Sequence, residues 1–100
     1  MNGEWQAPTL KDALQVLAPV PITHADALCP GCGRRVAADM LTDCGPARAA
    51  GVAGVDVDWA CDGCRERWWR EGTVDRAAFY GALGAPAALR ERLAAQKPAG

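Results

Sequence analysis

The sequence has few of the residues on which enzymes and membrane proteins depend. Its 100 residues include one histidine, one phenylalanine and one tyrosine. No apolar run approaches the length of about 20 residues that a membrane-spanning helix needs. The one histidine has no nucleophilic partner close to it in sequence, and the glycines form no phosphate-binding loop. We therefore expect a soluble domain that is not an enzyme, has no membrane partner and binds no small-molecule substrate.

An excess of positive charge is also lacking. Lys and Arg together number 11 and Asp and Glu 12, which gives a net charge of −1. Binding to nucleic acid through bulk charge is disfavoured by this balance. Nine of the eleven basic residues are arginine, so a local arginine patch could still contact phosphate. A protein partner is favoured, with nucleic acid as the alternative.

Four of the five cysteines form two matched pairs, Cys29-Pro30-Gly31-Cys32 and Cys61-Asp62-Gly63-Cys64. A C-x2-C pair bends the backbone so that both sulfurs face one point, and two pairs complete the tetrahedral cage that Zn²⁺ or a single iron ion prefers. A closed four-thiolate site leaves no position for water, so its metal is structural. We predict a zinc site, with iron as the alternative, whose ligands are Cys29, Cys32, Cys61 and Cys64.

Thiolates that bind a metal suit a reducing cytoplasm, which is the location we expect. The apolar stretch 13–22 faintly resembles a signal peptide, but Gln15, Pro19 and Pro21 interrupt it. The fifth cysteine, Cys44, is expected to be a small buried residue. The alternatives are a substitute ligand or a redox-sensitive thiol near the metal.

The two pairs resemble those of zinc ribbons, which are small β-hairpin-based metal modules, and of rubredoxin. The stretches 29–33 (CPGCG) and 58–61 (DWAC) match the rubredoxin pattern, and 28 residues separate the pairs. Asp62 stands where rubredoxin usually has proline, and Arg65 replaces the glycine after the last cysteine. The resemblance covers about a third of the chain. It implies a ribbon-like fold and, with iron bound, single-electron transfer.

Short elements are predicted on both sides of this ribbon. Thr9 and Asp12 form a capping pair for a first helix, whose leucines lie on one face and pack on the domain or on a partner. Alternation over 55–59 predicts a strand with one apolar face that runs into the second pair. A helix follows Cys64 and ends at Gly72, and helices follow it to the C-terminus. The predicted class is α+β, divided into 1–25 (helix and proline-containing linker), 26–72 (metal-binding ribbon) and 73–100 (C-terminal helices).

The segment directly after the second pair combines arginine with tryptophan. Such residues stack on bases and grip phosphate, and they also anchor protein interfaces. Adjacent helical residues point about 100° apart, so we expect one tryptophan to be buried and the other partly exposed. We predict that the segment contacts a protein or a protein–nucleic-acid assembly, with direct nucleic-acid binding as the alternative. Its residues are Arg65, Arg67, Trp68, Trp69 and Arg70.

Overall fold

The fold combines five short helices with two small antiparallel sheets in the residues that the computed structural model describes, 5–17 and 26–95. This is the α+β class predicted from the sequence. None of the helices in these ranges is long and apolar enough to cross a membrane. The linker prolines Pro19 and Pro21 lie outside the described residues. The elements are α1 (Leu10–Leu17), β1 (Asp26–Leu28), β2 (Arg35–Ala37), a 3₁₀ turn (Ala38–Met40), β3 (Leu41–Asp43), α2 (Gly45–Ala49), β4 (Trp59–Cys61), α3 (Asp62–Glu71), α4 (Arg76–Ala82) and α5 (Ala87–Ala95).

Strands β1 and β2 form a hairpin whose turn carries the first cysteine pair. The amide of Cys29 donates to the carbonyl of Arg34 over 2.8 Å, and the amide of Gly33 donates back to the carbonyl of Cys29 over 2.6 Å. Gly33 has a φ of 75°, a left-handed conformation that glycine adopts without strain. The glycine after the second cysteine therefore closes the turn that presents both sulfurs.

Strands β3 and β4 form the second sheet and lead into the second cysteine pair. Leu41 lies opposite Cys61, and Asp43 lies opposite Trp59. The apolar positions of 55–59 are buried or partly buried while the aspartates between them are exposed, so the predicted face is correct. The ladder itself begins only at Trp59, because β3 ends at Asp43 and α2 follows almost at once. The prediction of a strand over 55–59 is therefore wrong for 55–58, and the observed strand Trp59–Cys61 overlaps it only at Trp59.

Helix α3 begins at Asp62, inside the second cysteine pair, and not after Cys64 as the sequence suggested. The pair therefore lies at a strand–helix junction, whereas a hairpin-based ribbon would place it in a turn between strands. The end of the helix is confirmed at Gly72, which has a φ of 71°. This arrangement positions the first turn of α3 beside the β1–β2 hairpin.

The first helix packs on its own domain. Thr9 and Asp12 form the predicted cap, with the Thr9 amide donating to Asp12 Oδ2 over 2.9 Å and the Asp12 amide donating to Thr9 Oγ1 over 3.3 Å. Thr9 also pairs with Thr42 of β3. The amide of Asp43 donates to the carbonyl of Pro8 over 2.9 Å. These bonds tie the chain before α1 to the second sheet.

The main core cluster contains residues of the second sheet and of helices α2, α3 and α4. Phe79 is fully buried, and its ring meets those of Trp68 and Trp69 at centroid distances of 5.9 and 5.5 Å. Asp75 caps α4, with Oδ1 accepting from the Ala77 amide over 3.0 Å. Cys44 is fully buried, which confirms the expectation of a small core residue. Its burial raises the pKa of the thiol to about 12.

Candidate metal centre

The four cysteines predicted as ligands meet at one place, with all four Sγ atoms within 4.8 Å of one another. The Sγ atoms of Cys29 and Cys64 are 3.7 Å apart, and those of Cys32 and Cys61 are 3.8 Å apart. A regular tetrahedron with Zn–S bonds of about 2.3 Å has edges of about 3.8 Å. A disulfide requires a much shorter separation, about 2.05 Å. The sulfur positions therefore fit a metal ion bound by four cysteines.

Each short sulfur contact joins one cysteine of the first pair to one of the second. The first pair comes from the β1–β2 turn, and the second comes from the junction of β4 and α3. A side-chain carbon at Gly31 would lie 3.0 Å from the Sγ of Cys64, a tight contact. The same addition at Gly63 would lie 3.9 Å from the Sγ of Cys61. Of the two glycines that precede a second cysteine, only Gly31 is needed for close approach.

Backbone amides help to hold negative charge on the sulfurs. The amide of Cys61 donates to the Sγ of Cys29 over 3.4 Å. Burial alone would raise the pKa of Cys29, but the amides of Cys61, Gly31 and Cys32 outweigh it and lower that pKa to about 6. Such amide donation to metal-bound sulfur is the usual outer support of a metal site.

In the second pair the pKa values of both thiols are raised, whereas that of Cys29 is lowered. Burial, together with hydrogen bonding among the neighbouring thiols, raises the pKa of Cys64. Burial is also the main cause of the raised pKa of Cys61. Four thiolates this close repel one another, and a cation offsets the repulsion and lowers the pKa of each ligand. The donor set thus requires a positive ion for all four sulfurs to be ionised together.

Three of the four sulfurs belong to buried residues, and only Cys32 is exposed. Cys61 is the N-cap of α3 and Cys64 lies in its first turn, so the positive end of the helix dipole faces the cluster. Four protein ligands fill a tetrahedral site completely. Cys29, Cys32, Cys61 and Cys64 would therefore hold the metal in a closed site, where it stabilises the fold.

The two tryptophans of the predicted partner-contact segment have different environments. Trp68 is 8 % exposed and packs in the core. Trp69 is partly buried, its ring is 5.5 Å from Phe79, and the guanidinium of Arg76 lies 5.7 Å from its centroid. The prediction of one buried and one partly exposed tryptophan is confirmed. Trp68 is consequently a core residue in this structure and contributes no freely exposed ring.

The three arginines of that segment also differ in exposure. Arg65 is partly buried and its Nη1 donates to Tyr80 Oη over 2.8 Å. Arg67 and Arg70 are exposed. Since residues 65 and 67 lie about 200° apart around a helix, they serve different sides of α3. The segment therefore does not form one continuous surface.

Each side of α3 borders a groove of about 350 Å³. The hairpin groove lies next to the metal centre and is lined by Pro30, Asp56, Arg67 and Trp68, among other residues. The aromatic groove is lined by a different set that includes Trp5, Thr42, Arg65, Arg76 and Tyr80. Of the residues predicted to contact a partner, only Arg65 lines the aromatic groove. The scarcity of aromatic residues was the one signal that could have drawn attention to Trp5 and Tyr80.

No family model matches this sequence, and no curated protein or solved structure matches the chain. The function is therefore argued from the site alone.

Proposed function

We propose that this protein is a small, non-enzymatic interaction module that binds structural Zn²⁺ and docks on a protein or a protein–nucleic-acid assembly. One observation carries the proposal. The four-cysteine cluster joins the β1–β2 hairpin to the first turn of α3, and the same helix presents the exposed Arg67 and Arg70. The hairpin turn agrees with the resemblance to zinc ribbons, and the strand–helix junction departs from it.

A structural role for the metal follows from the closed donor set. All four tetrahedral positions are taken by cysteine, so no position is open for water or substrate. Structural zinc sites contribute on the order of 10 kcal/mol to folding. Small domains have total stabilities of about 5–15 kcal/mol, so the metal would decide whether this chain folds.

Docking is best supported at the hairpin groove and the adjoining exposed face of α3. Arg67 lines the groove, and Arg70 lies on the exposed face. Arginine is among the commonest anchors of protein interfaces. Asp56 and Glu71 also line the groove, so its charge is mixed and it does not form a phosphate-binding track. Mixed charge and a net charge of −1 favour a protein partner.

Partner capture with charge-reversed variants tests this proposal. Partner capture from lysate of the source organism is compared for metal-loaded wild type, R67E/R70E and R35E. The last variant is the control and alters an exposed arginine of β2. We expect the same partner to be captured by wild type and R35E and lost with R67E/R70E, both with and without nuclease. Capture that is equal in all three proteins would remove α3 as the docking surface. Capture abolished by nuclease, with affinity falling steeply with salt, would favour direct nucleic-acid binding.

A second function is favoured by the position of Cys32. Cys32 is an exposed residue while the other three cysteines are buried, so the cluster approaches the surface at Cys32. With iron bound, electrons would pass through that exposed edge, as the resemblance to rubredoxin implies. Protein recovered red, with a reversible one-electron couple, would establish this function. Colourless protein that contains zinc would exclude it.

A further inference from the structure

The aromatic groove lies on the side of α3 that Arg65 faces, away from Arg67. Trp5 and Tyr80 form an edge-to-face pair with their ring centroids 6.0 Å apart. Leu89 and Leu93 of α5 line the groove as well. Its volume of about 350 Å³ falls at the lower end of the range typical of ligand pockets. The groove therefore combines these apolar side chains with polar ones such as Gln6, Thr9 and Thr42, and it is about the size that one or two side chains fill.

Two arginines, Arg65 and Arg76, also line this groove. Arg65 lines the groove, and its Nη1 is fixed by donation to Tyr80 Oη over 2.8 Å. Its Nε is buried and has no hydrogen-bond acceptor in residues 5–17 and 26–95. A buried N–H donor without an acceptor is unfavourable, and most such groups in native proteins are paired. Because this Nε is buried, a ligand meets the guanidinium at its other nitrogens, and a carboxylate is the acceptor that a guanidinium binds best.

We propose that the aromatic groove binds an acidic peptide segment, with a carboxylate side chain on Arg65 and a neighbouring apolar side chain against Trp5, Leu89 and Leu93. The inference goes beyond the proposed docking surface, which lies on the other side of α3 at Arg67, and names the chemistry of a ligand for this second groove. Asp39 also lines the groove and is exposed. Its carboxylate opposes an acidic ligand, so the binding is weak enough to be reversible and strengthens when that charge is removed.

Two capped tripeptides test the proposal on the metal-loaded full chain. One has the sequence leucine–glutamate–leucine, and its control has glutamine in place of glutamate, which keeps the shape and removes the charge. Amide resonances are followed by NMR during titration. We expect shifts at Trp5, Thr42 and Tyr80, with the acidic peptide binding about tenfold more tightly, as a charge-assisted hydrogen bond provides. Equal affinities, or shifts elsewhere only, would overturn the proposal.

Variants identify the residue that binds the carboxylate of the peptide. R65Q should remove the preference for the acidic peptide, whereas R35Q on exposed β2 should retain it. D39N should tighten the acidic peptide about threefold, as expected for the loss of one exposed like charge. Asp39 is exposed, so this second variant gives an answer even if R65Q does not fold. An unchanged preference in R65Q, or an unchanged affinity in D39N, would contradict the assignment.

A single-stranded oligonucleotide is titrated in parallel. Stronger shifts of the groove resonances with the oligonucleotide than with the acidic peptide would overturn the assignment to a peptide. The metal content of the titrated protein is measured as well, and partner capture by wild type and R67E/R70E is compared using the same protein preparations. If they stay as expected while the acidic peptide fails to bind, the groove assignment fails and the docking function stands.

Discussion

The sulfur atoms of Cys29 and Cys64 lie 3.7 Å apart although 35 positions separate the two residues in the chain. One belongs to the β1–β2 turn and the other to the first turn of α3. The pairing of Cys32 with Cys61 repeats this link at 3.8 Å. A metal bound by these sulfurs connects the hairpin to the helix that carries the proposed docking surface.

The first prediction concerns the ligands themselves. Replacing Cys64 by serine should abolish stoichiometric metal binding and leave the chain largely unfolded at 25 °C, because the metal contributes on the order of 10 kcal/mol. Replacing Cys44 by alanine is the control, since this thiol is buried outside the cluster. That variant should keep one metal per chain. Metal analysis and circular dichroism report both results, and full metal loading of C64S would contradict the assignment.

The second prediction separates the two glycines of the cysteine pairs. Gly31→Ala should destabilise the metal-loaded protein by about 1–2 kcal/mol, because the new carbon lies 3.0 Å from the Sγ of Cys64. Gly63→Ala should be neutral or stabilising, since its new carbon is 3.9 Å from the nearest sulfur and alanine favours helix. Thermal unfolding of the two variants side by side measures the difference. Equal losses would indicate that the hairpin is not seated against α3 as described.

The third prediction concerns Cys44. Its thiol has a pKa raised by burial from 9.0 to about 12, so it stays protonated in the folded protein near neutral pH. A raised thiol pKa stabilises the fold fully below about pH 9, and this contribution is lost as the pH rises toward 12. Urea unfolding of wild type between pH 8 and about pH 10.5 should therefore show falling stability. Cys44→Ala should show a smaller fall, and identical slopes would count against the burial.

The same burial predicts slow chemical modification. Iodoacetamide should not label Cys44 in the native protein at pH 8, because the reagent requires an accessible thiolate. Labelling should become complete after denaturation. Peptide mass mapping checks both states, and rapid native labelling would show that the thiol is exposed.

The fourth prediction separates folding from docking within α3. Trp68→Ala should lower the free energy of unfolding by about 3–5 kcal/mol, as for other buried aromatic residues. Arg67→Ala should change it by less than about 0.5 kcal/mol, because Arg67 is exposed. Loss of partner capture in R67A with an unchanged melting temperature would locate the interface on α3. A strongly destabilised R67A would instead show that Arg67 is part of the fold.

The cluster of four cysteines could be predicted from the sequence because each C-x2-C pair is a local motif. The geometry that brings its two sulfurs together is set within four residues, and the glycine in each pair makes the motif easier to recognise. The cap at Thr9 and the helix end at Gly72 were predictable for the same reason. Their hydrogen bonds or special dihedral angles involve neighbours in the chain.

Features that depend on distant contacts were not predictable. The start of α3 at Asp62 depends on where β4 leaves β3, and the length of β4 is set by the early end of β3 at Asp43. The sequence indicated that Trp68 and Trp69 would differ in burial but not which one would be buried. Phe79 of α4 packs against both rings, so the difference in their burial depends on the other elements that surround α3.

The aromatic groove was missed because its residues come from separate parts of the chain. Trp5 precedes α1, Thr42 lies in β3, and Tyr80 belongs to α4. No local spacing connects them. Only the packing of these elements around Arg65 assembles the site.

The central claim is that Cys29, Cys32, Cys61 and Cys64 bind one structural metal ion. Elemental analysis of the untagged protein, produced with zinc and iron both supplied, tests it most directly when combined with the visible absorption spectrum. We predict one zinc per chain and no absorption band in the visible range. One iron per chain with thiolate charge-transfer bands would instead favour the electron-transfer function. Folded, anaerobically purified protein that contains no metal would contradict the account.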